Sequence, residues 1–441
     1  MNKQKWIQCA LDKGLDSFEI YQNLTSEKEI TWYNKQMDTF VSSSVLGTSL
    51  RGVKDGNMAN IALEQVDDTE MESIIDSLIE QIDVVSTNEN DFLRSPETVE
   101  PIEIHRTWNI PAPSYVQSVL QKIEERIIAY DKRVLQVSYL SYQHSKGYRE
   151  ITNSNGIDLK DDDQIQYICA GVVVKEKDDV KDTMEVSIVY DFNDFDIDDF
   201  VKKLCDKAIN KLHAHSIPSK KTPVILERNA MRSLLSAYIG LFSGDLIYKG
   251  VSCLKGKENE KIFSDTITII DNPRNTDALT VASFDDEGCP TKKKILVDKG
   301  VYVSCLHSTK SAIRMHSTST GNGFKSGYAS SVSVQPLNAH IEPGQSNLET
   351  LQKKMNQGLV ITDLIGLHAG VDIVSGDFSL QCSGYWVENG QRQDSVTLIT
   401  VAGNFMELMN QVEEVGNDLD WEYHTITSPS IYFKECAISG E

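Results

Sequence analysis

No run of eighteen apolar residues occurs anywhere in the chain, so no helical membrane span is expected. The opening residues, Met1-Asn2-Lys3-Gln4-Lys5-Trp6-Ile7-Gln8-Cys9, lack the apolar stretch that a signal peptide needs, and a cytoplasmic location is expected. Basic residues are outnumbered, 43 Lys and Arg against 65 Asp and Glu. The net charge of -22 repels phosphate backbones and argues against direct nucleic-acid binding. The basic runs Lys220-Lys221 and Lys292-Lys293-Lys294 are short and read as solvated loop charge. None of the eight cysteines (Cys9, Cys169, Cys205, Cys253, Cys289, Cys305, Cys382, Cys436) forms a Cys-x-x-Cys pair. That excludes a zinc knuckle and a thioredoxin-type motif, and a long chain without an export signal favours reduced thiols. Walker and Gly-x-Ser-x-Gly sequences are missing too.

At 441 residues, with 40% hydrophobic and 24% charged side chains, the chain suits two or three globular domains. Turn chemistry supplies the punctuation. Asp55-Gly56, Asn153-Ser154-Asn155-Gly156 and Asn389-Gly390 each sit between strand-like runs and read as hairpin turns. Thr69 and Glu72 read as a capping box, followed by Met71, Ile74, Ile75, Leu78, Ile79 and Ile82 at helical spacing. Further helices are expected after Ser114 (Val116, Leu120, Ile123, Ile127) and across Val201 to Leu212. Another is expected from Asn404, with Glu407 completing a box and Gly416 as its C-terminal cap. The proline-bearing stretch from 84 to 113 reads as a connector, and the Ser/Thr/Gly-rich stretch from 304 to 333 as an exposed loop. The expected class is α+β, with antiparallel sheets in N-terminal (1–90) and central (110–215) mixed domains and a larger strand-rich C-terminal domain (220–441).

Side chains capable of chemistry are present but scattered. Cys382 alternates with Ser379, Gln381 and Ser383 in a way that turns it toward a core, and no base can be paired with it. Nine histidines occur, none followed by Glu and no two at helical ligand spacing. His213 and His215 could share one face of an extended segment, though they lie in a polar linker beside Pro218. The acidic runs Asp161-Asp162-Asp163 and Asp285-Asp286-Glu287 do not match a calcium loop and read as acidic turns. Gly321-Asn322-Gly323 follows a Ser/Thr loop and misses the dinucleotide spacing.

Several short segments form an ordered series. They include Phe18-Glu19-Ile20-Tyr21, Gly47-Thr48-Ser49-Leu50-Arg51 and Thr152-Asn153-Ser154-Asn155-Gly156. Later come Phe284-Asp285-Asp286-Glu287-Gly288-Cys289-Pro290-Thr291, Thr320-Gly321-Asn322 and Gly376-Asp377-Phe378-Ser379. Val387-Glu388-Asn389-Gly390, Ala402-Gly403-Asn404 and Val415-Gly416-Asn417-Asp418 complete the series, which covers nearly the whole chain and resembles the TldD/PmbA family.

The resemblance implies a three-part architecture and a cytosolic peptidase assembled from two related chains. A TldD-like chain carries a His-Glu-x-x-x-His helix and a late cysteine that hold zinc; a TldE- or PmbA-like chain lacks them and completes the substrate chamber. Aligned on Leu234-Leu235 and Gly240, the metal histidines would fall near Ser236 and Leu241 and the general base near Ala237. Leucine cannot ligate zinc and alanine cannot move a proton. Cys436 lies in a strand-like run beyond the place for the late ligand. The resemblance therefore implies a non-catalytic subunit, with no cofactor of its own, whose zinc-bearing partner is TldD-like and whose substrate is an extended peptide. A homodimer is the other assembly it allows. Two alternatives remain: a regulatory protein acting on DNA gyrase or an antitoxin-like partner, and a self-sufficient peptidase built on ligands such as His213 and His215.

Overall fold

A computed structural model describes residues 1–84 and 90–441, so residues 85–89 of the expected connector lie outside the described part. The first half is dominated by strands much longer than the usual five or six residues. Helix α1 (Lys3–Asp12) leads into β1 (Ser17–Tyr33), β2 (Gln36–Lys54) and β3 (Asn57–Leu63), followed by α2 (Met71–Val84). Next come α3 (Pro113–Tyr130), β4 (Val134–Asn153), β5 (Asp158–Glu176), β6 (Asp179–Ile188) and α4 (Ile197–Ile209). The six strands form one antiparallel sheet in the order β3-β2-β1-β4-β5-β6. Since β1 pairs with β4 from Glu19 to Thr31, the N-terminal and central segments share this sheet while keeping separate helices and apolar clusters.

Local chemistry explains the joints. Asp55 and Gly56 take positive φ (52° and 75°) between Lys54 and Asn57, the two-residue turn expected there. The Asn153 side chain accepts from the Asn155 and Ile157 amides, fixing the β4–β5 turn. Helix α2 begins at Met71, one residue later than a Thr69 cap would place it, and buries Ile75, Leu78 and Ile82. Pro113 occupies the first turn of α3, where its missing N–H costs nothing. That helix buries Val116, Val119, Leu120, Ile123 and Ile127 beside Ile30, Trp32, Leu140 and Ile168. At roughly 1.5–3 kcal/mol for each large aliphatic side chain, this stripe is what holds α3 on the sheet.

The C-terminal half contains β7 (Lys220–Leu226), α5 (Arg228–Tyr238), a 3-10 turn (Ile239–Phe242), α6 (Gly244–Tyr248), β8 (Ile269–Asp271) and β9 (Lys294–Asp298). It continues with β10 (Val301–Tyr302), α7 (Thr309–Arg314), β11 (Gly323–Phe324), β12 (Ser333–Val334), β13 (Ala339–Ile341), α8 (Leu348–Met355) and β14 (Gly358–Ile365). Then follow α9 (Leu367–Gly370), β15 (Asp377–Glu388), β16 (Gln391–Asn404), α10 (Phe405–Leu408), β17 (Val412–Val415), β18 (Ile426–Thr427) and β19 (Ile431–Ser439). A sheet in the order β16-β15-β14-β7-β19-β17 closes on itself through β16–β19 pairing, and a five-stranded sheet, β10-β9-β8-β13-β18, shares its core. Asn389 and Gly390, both at positive φ, close the β15–β16 hairpin as expected. The α+β class and the strand-rich C-terminal half are as the sequence indicated.

Three expectations fail here. The stretch 304–333 is no exposed loop: it carries α7 and buries His307, Ser308, Thr309, Ser311 and Asn322. Its hydroxyls satisfy one another and the backbone, as in the reciprocal Ser308–Ser311 capping box, so polar composition does not force solvation. The helix from Asn404 stops at Leu408 because residues from Val412 onward pair with β19; Gly416 donates to Ser430 O instead of capping a helix. Lys294 is not solvated loop charge but a buried cation 2.8 Å from the Asp271 carboxylate.

Candidate functional site

Where β7 leaves the closed sheet, the Glu227 amide donates to Ile361 O (2.9 Å) and the chain turns into α5. Ala230, Met231, Leu234, Leu235 and Tyr238 face the core. Tyr238 stacks on Phe405 with 4.4 Å between ring centroids and donates its hydroxyl to Asp377 O (2.7 Å), which pins the end of the helix. The start of α5 contributes Arg228, Asn229 and Arg232 to a cleft of about 770 Å³. Across it stand Glu185, Lys203 and Lys207 of β6 and α4, and its remaining wall includes Asp363, Tyr385, Tyr423 and His424. The cleft thus lies between the long sheet's last elements and the closed sheet.

Its charges are unevenly matched. Arg228 is bound on both arms, Nη1 to Asp420 (2.8 Å) and Nη2 to Glu422 (3.3 Å). Burial pushes the Glu227 and Glu422 carboxyls up, against the pull of Arg228. Half-buried Arg232 differs, because its Nε is shielded from water and has no hydrogen-bond partner among the described residues. Burial, then the neighbouring Arg232 charge, push His424 down to about 4, so its imidazole is neutral at ordinary pH. The result is a guanidinium beside an uncharged imidazole. That combination suits a carboxylate or a peptide carbonyl.

The positions matched to the family's zinc helix lie just beyond. Ser236 is exposed on α5, Ala237 is half-buried against the core, and Leu241 is fully buried in the 3-10 turn that follows. A hydroxyl, a methyl group and a core isobutyl group do not fit zinc. Cys436 in β19 and Cys382 in β15 are both core residues, and burial pushes each thiol up to about 12. His213 points Nε2 at Glu176 (2.7 Å), while His215 makes a backbone bridge to Val396 of β16. Among the described residues no group of three or more His, Cys, Asp or Glu side chains is placed to hold a metal.

The two acidic runs prove to be structural, and neither is a simple acidic turn. Asp161 to Asp163 lie within β5, and Asp161 pairs with Arg149 at 3.0 Å. Asp285, Asp286 and Glu287 are buried. Asp285 accepts from the amides of Glu287 (3.0 Å), Cys289 (2.9 Å) and Gly323 (2.8 Å), and burial beside Glu287 pushes its carboxyl up. Asp286 takes Arg149 Nη1 and the Lys325 amide, and Glu287 takes the Thr309 amide (2.7 Å). These oxygens are occupied by protein donors, so the turn joins β4 to the C-terminal half instead of cradling a cation.

Sequence reasoning missed Arg228, Arg232 and His424. One signal was available: Arg228 and Arg232 stand four apart, opposite the apolar stripe of α5. His424 gave none, since its neighbours come from distant segments.

Two family models match the chain: the PmbA/TldA metallopeptidase C-terminal domain over residues 219–440, and the central domain over residues 107–212. Metalloprotease PmbA of Escherichia coli O157:H7 is 25% identical over 331 residues, 75% of this chain and 71% of the relative. A PmbA homologue from Buchnera aphidicola subsp. Baizongia pistaciae is 27% identical over 336 residues, 76% and 71% of the two chains. A Thermotoga maritima crystal structure, described as a modulator of a DNA gyrase, superposes with a TM-score of 0.88 at 26% identity over 99% of each chain. TldE from Thermococcus kodakarensis shares the fold, with a TM-score of 0.87 at 22% identity, covering 99% of this chain and 100% of that one.

Proposed function

Since the chain belongs to the PmbA/TldD metallopeptidase family, we propose that it is the non-catalytic, TldE/PmbA-like subunit of a cytosolic heteromeric peptidase. One observation carries this reading. The segment where the zinc helix is expected offers Ser236, Ala237 and the buried Leu241, whereas one turn earlier the cationic Arg232 lines the cleft. Such a surface binds and orients; it neither ligates zinc nor moves a proton. Zinc and bond cleavage then belong to a TldD-like partner, and this chain helps hold an extended peptide. All eight cysteines are free thiols, which suits a reducing compartment.

The test is to purify the chain alone and with a TldD-like chain. The lone polypeptide is expected to hold no stoichiometric zinc and to leave peptides intact, while the mixture associates and cleaves them. One zinc per lone chain with matching turnover would overturn the proposal and favour the self-sufficient enzyme. The Thermotoga relative's description supports a second reading, a regulatory protein acting on gyrase. Co-purification with gyrase and never with a peptidase subunit would favour it.

A further inference from the structure

Strand β2 is paired on both sides only for part of its length. Against β1 it runs from Gln36 to Lys54, but β3 joins it only from Thr48 onward. From Thr39 to Gly47 its outer edge carries no strand among the described residues. Proteins usually protect such edges with charge, proline or a bulge within the strand. Strand β6, at the other end of the sheet, follows that rule with Lys181, Asp182 and Glu185. The free stretch of β2, Thr39-Phe40-Val41-Ser42-Ser43-Ser44-Val45-Leu46-Gly47, has no charged residue and no proline.

Its apolar side chains are in water. Phe40 is 48% exposed, Val41 49%, Val45 46% and Leu46 37%, far above what a sheet interior shows. Phe40 sits opposite Ile30 of β1, on the face covered by α3, and Leu46 shares that face; Val41 and Val45 project from the other. The stretch reads nearly the same in both directions about Ser43: Phe-Val-Ser, Ser, Ser-Val-Leu. Antiparallel pairing of a strand with its own copy about a two-fold axis places residues equidistant from the centre opposite each other. Centred on Ser43, Phe40 of one copy meets Leu46 of the other, Val41 meets Val45, and serine meets serine. Both faces of the new ladder match apolar to apolar and polar to polar, the pairing that stabilises sheets.

Both ends of the stretch are marked. At one, β3 occupies the edge beside Thr48. At the other, the β1–β2 register shifts, since Thr31 faces Thr39 while Trp32 faces Met37, leaving Asp38 as an extra residue. A bulge increases local twist, and so turns the hairpin tip aside where it would meet the other copy's β3.

We propose that this chain self-associates through the free edge of β2, two copies joining their sheets antiparallel about Ser43. The pairing concerns the edge remote in sequence from the cleft residues and does not depend on the proposed peptidase role.

The test uses the full chain. Sedimentation should show a dimer, and Val41→Lys/Val45→Lys should weaken it about a hundredfold or more by setting lysines against lysines, with unchanged circular dichroism because both sites are exposed. In an otherwise wild-type chain, Ser43→Cys should give a covalent dimer on mild oxidation, with the Ser43→Cys peptide linked to itself by mass spectrometry. A wild-type chain that stays monomeric overturns the proposal. So does a dimer insensitive to Val41→Lys/Val45→Lys, or an edge that pairs only with a TldD-like chain.

Discussion

Arg149 on β4 and Asp286 in the buried acidic turn meet at 2.9 Å, and through that contact the long sheet is locked to the C-terminal half. The same guanidinium reaches Asp161 at 3.0 Å and lies over the Phe284 ring, 4.6 Å from its centroid. Its side chain is 16% exposed and that of Asp286 5%. Little water is present to replace either partner.

Arg149→Met therefore leaves two carboxylates without their cation and is expected to cost on the order of 3 kcal/mol, the usual penalty for breaking a buried pair from one side. Chemical denaturation measures it. Arg133→Met, which removes the adjacent Asp131 pairing, serves as a comparison and should cost under about 1 kcal/mol. Equal effects would show that the Arg149 junction is not holding the halves together.

Lys294 and Asp271 form another buried pair, with Asn322 bridging them by accepting from Lys294 Nζ (2.8 Å) and donating to Asp271 (2.9 Å). Lys294→Met alone should destabilise by about 3 kcal/mol, and adding Asp271→Asn should recover part of that loss. A double-mutant cycle reads the difference. Additive losses would mean the two side chains do not depend on each other.

Arg232→Ala tests the cleft. Because Nε has no partner to lose among the described residues, the substitution should leave the melting temperature nearly unchanged. In the complex with a TldD-like chain it should raise KM for peptides about tenfold, about 1.4 kcal/mol of binding, with kcat little changed. A fall in stability with KM intact would reassign Arg232 to structure.

His424 predicts an acid weakness. Its folded pKa of about 4 lies below the ordinary value of 6.5, so above that value it contributes no pH dependence. As pH falls from 6.5 toward 4 the unfolded chain takes the proton first, and the folded state loses relative stability. Near pH 5 the loss amounts to about 2 kcal/mol. His424→Asn should remove that part of the decline between pH 7 and pH 5 in denaturant titrations; an unchanged slope would assign the decline to other groups.

Much of the fold could be read from local pattern, and the reason is that its determinants are local. Asp55-Gly56 and Asn389-Gly390 specify their hairpins through backbone angles that those residue types tolerate. The apolar stripe of α3 identifies its buried face by spacing alone. Strand length was less legible. Residues Asn23 to Glu29 of β1 are mostly polar, and they are held extended because β2 and β4 satisfy their backbone on both sides. The early end of α10 likewise follows from the pairing of β17 with β19, a contact no local signal announces.

The sequence alone fixed which groups are available: a hydroxyl at 236, a methyl at 237 and an isobutyl at 241, an uncharged near-palindrome from 39 to 47, and acids grouped at 285 to 287. Side-chain chemistry is covalent and does not depend on folding. Tertiary structure decided how those groups are solvated and paired. Asp286 is an anchor because Arg149 and the Lys325 amide reach it, His424 is neutral because it is buried beside Arg232, and Thr39–Gly47 is an open edge because the pairing of β3 with β2 reaches only to Thr48, opposite Leu63. A charge or an edge takes its energy from what surrounds it, and those surroundings come from parts of the chain far away in sequence.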